Sequence, residues 1–353
     1  MAASPVLTHK DILLADRNYE LSASIMHLVY VNDRLPGIVR KKKGKGFCYY
    51  CDRRLVTDKD ELRRIRGLVI PPAWTEVWIC ASAKGHIQAT GKDARGRKQY
   101  RYHSLWNTVR SETKFHRLFE FGKSLPAIRE RVQTDLRSRG LTREKVLGTV
   151  VSLMERTFIR VGNDEYEKLY GSYGLTTLKN KHVTIHGDKM VFSFMGKKGV
   201  HHDITLLNKR LARTVGQCRD IPGKELFQYY QEDGTRRSVD SGMVNQYIRE
   251  AAGGLDFTAK DFRTWAGSLC ALREFRRLEE GANVTEVKKQ IVAVLDEVSR
   301  QLGNTRTVCR KYYVHPGIIG LYEQGKLLRY LGEETGNEEE VLMKIMKVLL
   351  SGG

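Results

Sequence analysis

No uninterrupted apolar run of about 18 residues occurs in the 353-residue chain, so the sequence offers no helix able to cross a bilayer. Its first residues, "MAASPVLTHKDILLADRNYEL", lack the continuous apolar core and cleavage site of a secretory leader. Cysteine is sparse, with six residues at 48, 51, 80, 218, 270 and 309. Only Cys48 and Cys51 form a C-x-x-C pair, in "GFCYYCDRR", and no second pair lies near enough to complete a four-ligand zinc site. A redox role would need a thioredoxin-like βαβ setting, which is missing, so the pair reads as two reduced thiols on one β-hairpin. No metal or other cofactor is expected. Acidic side chains are the scarce charge, 41 Asp and Glu against 61 Lys and Arg, a formal +20. That imbalance points to a polyanionic partner, nucleic acid before an acidic membrane surface.

What is present is the composition of a folded protein, 41% hydrophobic and 29% charged, and the length suits two or three domains. Residues 1–25 read as a polar leader. From "LVYVNDRLPGIVRKKKGKGFCYYC" onward, short alternating apolar runs broken by Gly, Pro and Asp predict strands and turns. "KDELRRIRGLVIPPAW" predicts a short helix ahead of Pro71–Pro72, and "EVWICAS" and "HIQATG" predict strands. Residues 26–103 thus form a small β-rich domain. Residues 104–353 form a larger, mostly helical one, with apolar residues at helical spacing in "SLWNTVRSETKFHRLFEFGKSLPAIRERVQTDLRSRG" and "REKVLGTVVSLMERTFIRVG". A β-hairpin is inserted at "HVTIHGDKMVFSF" and "GVHHDITLL", turning at Gly187–Asp188, and the fold class is α+β. The amphipathic end, "NEEEVLMKIMKVLL", reads as a cap on the larger domain.

Four stretches carry chemistry. "GKDARGRKQYRYHSLW" (91–106) interleaves cations with Tyr100 and Tyr102, which share one face if the segment is extended, with Gln99 opposite. "ERTFIRVGNDEY" sets Arg160 at a helix end, and "FSFMGKKGVHH" sets Lys197 at a turn between strands. "TAKDFRTWAGSL" opens a helix carrying Lys260 and Arg263, where free N–H groups and a guanidinium suit a phosphate. Metal-free attack on a phosphodiester needs such cations for its oxygens and an acid for the leaving alkoxide. Each stretch alone has a plainer explanation: a solvated basic loop, a helix cap, a solubility lysine, or Arg263 paired with Asp261. "NTRTVCRKYYVHP" adds two tyrosines, Tyr312 and Tyr313, and does not itself choose between an anion patch and a nucleophile.

In order, the segments resemble type IB DNA topoisomerases of the small poxvirus and bacterial branch. The likeness rests on "FIRVG" at Arg160, "TLKNKHV" at 177–183, "MGK" at Lys197, "KDFRTWAG" at Arg263 and "LGNTRTVCRKYY", and covers roughly residues 28–320. It implies a C-shaped clamp on duplex DNA, working as a monomer, with the catalytic fold shared by tyrosine recombinases. It implies that Tyr313, nine residues after Asn304, forms a DNA-(3′-phosphotyrosyl) intermediate. Arg160 and Arg263 would stabilise the transition state, Lys197 would protonate the 5′ oxygen, and Asn304 would hydrogen-bond a phosphate oxygen. Arg95, Arg97, Gln99, Tyr100, Tyr102, Arg110, Tyr166 and Lys260 would contact DNA. Supercoil relaxation would then need neither ATP nor metal, and the protein would be cytoplasmic and nucleoid-associated. Poxvirus enzymes carry histidine where this chain has Asn304, so that position is given a positioning role only. The acids of "NDEY" stand where the poxvirus motif is basic, which leaves target-site preference open. Two alternatives remain. A tyrosine site-specific recombinase shares the catalytic fold and chemistry but usually shows H-x-x-R where this chain has Lys260–Arg263, and lacks the "RGRKQYRYH" domain. A non-catalytic nucleic-acid-binding protein explains the charge but not the ordered motifs.

Overall fold

A computed structural model describes residues 18–44, 46–279, 281, 283–332 and 337–351, with the backbone alone for 107–114, 332 and 351. The chain divides into two compact units between Arg117 and Leu118.

The first unit begins with α1 (Tyr19–Ile25), capped by Asn18, whose side chain accepts from the backbone N–H groups of Glu20 and Leu21. These residues read as leader, yet Ala23 is fully buried and clusters with Met26, Leu28 and Trp106. Residues 1–17 lie outside the description. Then follow β1 (Gly37–Lys43), β2 (Gly46–Cys51), β3 (Arg54–Leu55), α2 (Lys59–Gly67), β4 (Thr75–Cys80), β5 (Ile87–Lys92) and β6 (Lys98–Tyr102). The strands make one antiparallel sheet ordered β3-β2-β1-β4-β5-β6. Strand alternation sends Ile38, Val77, Ile79 and Ala89 into a core closed by Ile65 of α2. Cys48 and Cys51 both sit on β2, and their three-residue spacing sends them to opposite faces, so they cannot share a ligand.

The basic run "RKKKGKG" begins with a residue that is not solvated. Arg40 is buried and donates to the carbonyls of Ile70, Pro71 and Trp74 at 3.3, 3.1 and 2.6 Å, with the Phe47 ring 4.2 Å away. It fastens the Pro71–Pro72 loop to the sheet.

Helix α3 (Ser104–Arg137) runs from the first unit into the second. The second unit continues with α4 (Arg143–Thr157), α5 (Asp164–Tyr170), β7 (Val183–His186), β8 (Lys189–Met195), β9 (His201–Leu207) and α6 (Lys209–Asp220). It ends with β10 (Gln228–Tyr230), β11 (Arg236–Ser238), α7 (Ser241–Ala251), α8 (Ala259–Arg276), α9 (Val284–Leu302), α10 (Arg306–Tyr312), α11 (Pro316–Glu323), α12 (Leu327–Gly332) and α13 (Glu338–Ser351). Helices α4 and α8 are buried nearly all round, as their continuous apolar and small-residue runs require.

Two sequence expectations change here. The inserted hairpin is a three-stranded sheet, because β9 returns against β8 in the register Phe194↔His202. The region after Leu207 also contains the β10–β11 hairpin, whose three-residue strands are too short to declare a period.

The last helix caps the unit through polar ties as well as through buried Val341, Leu342, Ile345 and Met346. Arg129 donates to both oxygens of Glu339 at 2.7 and 2.6 Å, and Trp265 Nε1 donates to the same carboxylate at 3.1 Å. The Arg129 guanidinium holds the Glu339 carboxyl below its ordinary value. Glu339→Ala removes an acceptor from two donors and is expected to cost about 1–3 kcal/mol. A carboxyl with a lowered folded pKa stabilises above its unfolded pKa and loses that effect as pH falls through the folded one. Thermal melts should therefore separate variant from parent at neutral pH and converge in acid; equal melting at pH 7 would contradict this role.

Candidate active site

Helix α4 ends at Phe158, which caps it in the left-handed conformation (φ 57°, ψ 14°). The reversal buries Ile159 and delivers Arg160 beyond the helix, so Arg160 is not a helix cap. The loop is pinned by backbone bonds, Leu175 N–H to Arg160 O and Thr176 N–H to Val161 O. Gly162, at φ 107°, and Gly174 pack backbone against backbone, and a Cβ on Gly174 would lie 2.6 Å from Arg160 O. The Arg160 guanidinium donates to Gly303 O at 3.0 Å and to Asn304 Oδ1 at 2.6 Å. Burial first and Arg263 second lower its pKa to about 10, which leaves it charged at neutral pH.

Arg263 projects from α8. One terminal nitrogen donates to Phe158 O and the other to Leu302 O at 2.8 Å. Its buried Nε has no hydrogen-bond partner among the described residues. The carboxylate of Asp261 accepts from Thr258 N–H and Thr258 Oγ in a capping box at the start of α8. Asn245 Oδ1 takes the N–H of Ala259 and Thr258 O takes that of Asp261. The helix start that read as a phosphate site in the sequence is thus largely capped by the protein itself.

Lys197 stands on the turn between β8 and β9, where Lys198 and Gly199 take positive φ of 65° and 73°. Burial, then the neighbouring Arg160 charge, lowers its amine pKa from the ordinary lysine value. Its Nζ lies 5.6 Å from the ring centre of Tyr166. Tyr166 belongs to α5, whose N-cap is Asn163; the acids of "NDEY" occupy the first turn, where they complement the helix dipole.

Tyr313 ends α10, and Tyr312 is the last helical residue before it. The two diverge. Tyr312 is 44% exposed, with Lys311 over its ring. Tyr313 is half-buried, its ring 5.2 Å from the Arg263 guanidinium carbon. Helix α8 holds it: Ser268 Oγ donates to Tyr313 O at 3.3 Å and accepts from His315 N–H at 3.1 Å. A Cβ on Gly267 would lie 2.6 Å from Tyr313 O.

One cavity of about 450 Å³ is lined by Arg160, Tyr166, Lys197, Lys260, Arg263 and Tyr313. Asn304 adjoins it through its bond to Arg160. Such a basin can receive a phosphodiester against two guanidiniums and an ammonium, beside a phenol. Sequence reasoning passed over Phe158, Gly303 and His202, which frame this cluster. Gly303 was legible as the left-handed cap of α9; His202 carried no signal beyond its inward position on a strand.

In the first unit, Tyr100 and Tyr102 are both exposed on one face of β6 and stack at 5.7 Å. Arg97 and Gln99 turn instead to Asp93, at 2.6 and 3.0 Å, and the Arg97 bond holds the Asp93 carboxyl down at about 2. Arg95 is exposed in the same turn. The side chain of Arg110 lies outside the described residues.

The comparisons agree on one family. The model described as "Eukaryotic DNA topoisomerase I, catalytic core" matches residues 103–327, and "Bacterial DNA topoisomerase IB, N-terminal domain" matches 46–93. The chain is 33% identical to the DNA topoisomerase 1B of Acanthamoeba polyphaga mimivirus over 322 residues, 89% of this chain and 95% of that one. It is 22% identical to the DNA topoisomerase 1B of Vaccinia virus (strain Western Reserve) over 309 residues, 82% and 94% of the two chains. With the DNA topoisomerase 1 of Schizosaccharomyces pombe the identity is 26% over 161 residues, 45% of this chain and 19% of that one.

The electrostatics of the cavity give a direct test. Replacing Arg160 by Gln removes a cation from beside Lys197, so the Lys197 amine should titrate at higher pH than in the parent. Amine labelling across a pH series, read by mass spectrometry at Lys197, should show that rise; an unchanged profile would contradict the assigned coupling.

Proposed function

We propose that this chain, which belongs to the type IB DNA topoisomerase family and relaxes supercoiled duplex DNA, cuts one strand with the phenol of Tyr313. Relaxation proceeds by transient single-strand cleavage, strand rotation and religation. In the proposed step the Tyr313 oxygen bonds the scissile phosphorus as its proton passes to solvent water, and the bond from phosphorus to the 5′ oxygen breaks. Lys197 gives that oxygen its proton, and a 3′-phosphotyrosine and a 5′-hydroxyl result. The phosphotyrosine is itself a phosphodiester, so the bond energy is retained and religation by the 5′-hydroxyl needs no ATP.

The observation that carries this reading is the shared cavity of Arg160, Lys197, Arg263 and Tyr313. Arg160 and Arg263 meet the charge that grows on the non-bridging oxygens. Asn304 takes a positioning role, its Oδ1 orienting Arg160. A lowered amine pKa brings Lys197 nearer to working pH, where a general acid is most effective. Lys260 and Tyr166, on the cavity wall, and Tyr100, Tyr102 and Arg95, on the first unit, are the DNA contacts the reading favours. Arg97 and Gln99 shape their turn through Asp93 and reach DNA only by leaving it. Monomeric action, a C-shaped clamp and association with the nucleoid complete the proposal and rest on the family alone.

Tyr313→Phe should lower plasmid relaxation by at least about a thousandfold while salt-sensitive DNA binding stays within about twofold. Relaxation by that variant would overturn the nucleophile. Lys197→Ala should slow strand cleavage about a hundredfold or more with a 5′-oxygen leaving group, and far less with a 5′-sulfur one, which needs little protonation. Equal slowing on both would remove Lys197 from the acid's role.

A further inference from the structure

We propose that His202 is a positioning residue for the cleavage step, a wedge that sets the Lys197 turn against the Gly303–Asn304 segment. The inference rests on the reading of Lys197 as the acid. His202 lies on β9 directly opposite Phe194 of β8, and the two rings stack at 5.1 Å and 19°. One edge of the imidazole meets Gly196, the residue before Lys197. A Cβ there would lie 2.5 Å from the ring Cδ2 and 2.6 Å from Nε2. The other edge meets Gly303, where a Cβ would lie 2.5 Å from Cε1. Gly303 is the residue whose carbonyl accepts from Arg160, and Asn304 follows it. The ring thus fills a slot between two glycines, and both glycines are rooted in catalytic segments.

Any side chain at 196 or 303 would collide with the ring, so the close approach itself demands glycine. At Gly303 the positive φ of 58° adds a second reason. The His202 imidazole makes no hydrogen bond among the described residues, so packing locates the ring on its strand. Burial, then Arg160 and Arg263, lower its pKa, with His201 acting in the same sense and Asp203 opposing. Those two guanidiniums disfavour an imidazolium beside them. Without the ring, the Lys197 turn can relax toward Gly303. A displacement of about 1 Å at a reacting group slows a step by about a hundredfold.

The test uses the full chain and a duplex with a mapped cleavage site, made with either a 5′-oxygen or a 5′-sulfur leaving group. His202→Ala should slow single-turnover cleavage about 10- to 100-fold on the oxygen substrate, with DNA affinity within about twofold and little slowing on the sulfur substrate. Rescue by sulfur would also show that the variant is folded. His202→Met, similar in volume and unable to donate a hydrogen bond, should recover most of the loss. Cleavage by His202→Ala at the parent rate, equal slowing on both substrates, or a Met variant as slow as Ala would each overturn the wedge. Lys197→Ala, run alongside, separates the causes. If sulfur fails to rescue it, the acid assignment falls and takes this inference with it. If sulfur rescues it but not His202→Ala, the inference alone fails.

Discussion

The site depends on two guanidiniums, Arg263 buried and Arg160 half-buried, that have no carboxylate partner among the described residues. Among the described residues, Arg160 and Arg263 form no ion pair; backbone carbonyls of Phe158, Leu302 and Gly303, together with the Asn304 amide, hold them. Like charges placed together out of water cost several kcal/mol unless something offsets them. Neutral oxygens fix direction without cancelling charge, and an arriving phosphodiester supplies the missing negative charge. An acid in place of those carbonyls would have stabilised the empty protein and blunted the site.

That constraint explains much of the local folding. The carbonyls point inward because α4 and α9 both end in left-handed caps, Phe158 and Gly303, so helix ends become the acceptors for the two arginines. Helix α8 contributes twice, sending Arg263 into the cavity and, through Gly267 and Ser268, seating Tyr313. Helix α13 ties to Trp265, two residues from Arg263, so the C-terminal segment is part of the frame that holds α8.

Much of this was legible in the residues. The α+β class, the strand-to-helix switch near residue 104 and the ordered motifs were readable because each rests on local periodicity or fixed spacing. The buried role of Arg40 and the β10–β11 hairpin were not. They are set by long-range register and packing, which leave no period in a short segment. The same limit hid Asp93 as the anchor of Arg97 and Gln99, and His202 as a neighbour of Gly303. "CRKYY" could not separate its tyrosines alone. The fold does, by exposing Tyr312 and turning Tyr313 toward Arg263.

The central claim is that Tyr313, and not its neighbour, carries the DNA. The most direct measurement is to trap the covalent adduct on a duplex, digest it and identify by mass spectrometry which residue bears the 3′-phosphoryl group. A single modified site at Tyr313 is expected, formed in the presence of chelator and without ATP. Modification at Tyr312, or at any other residue, would contradict it.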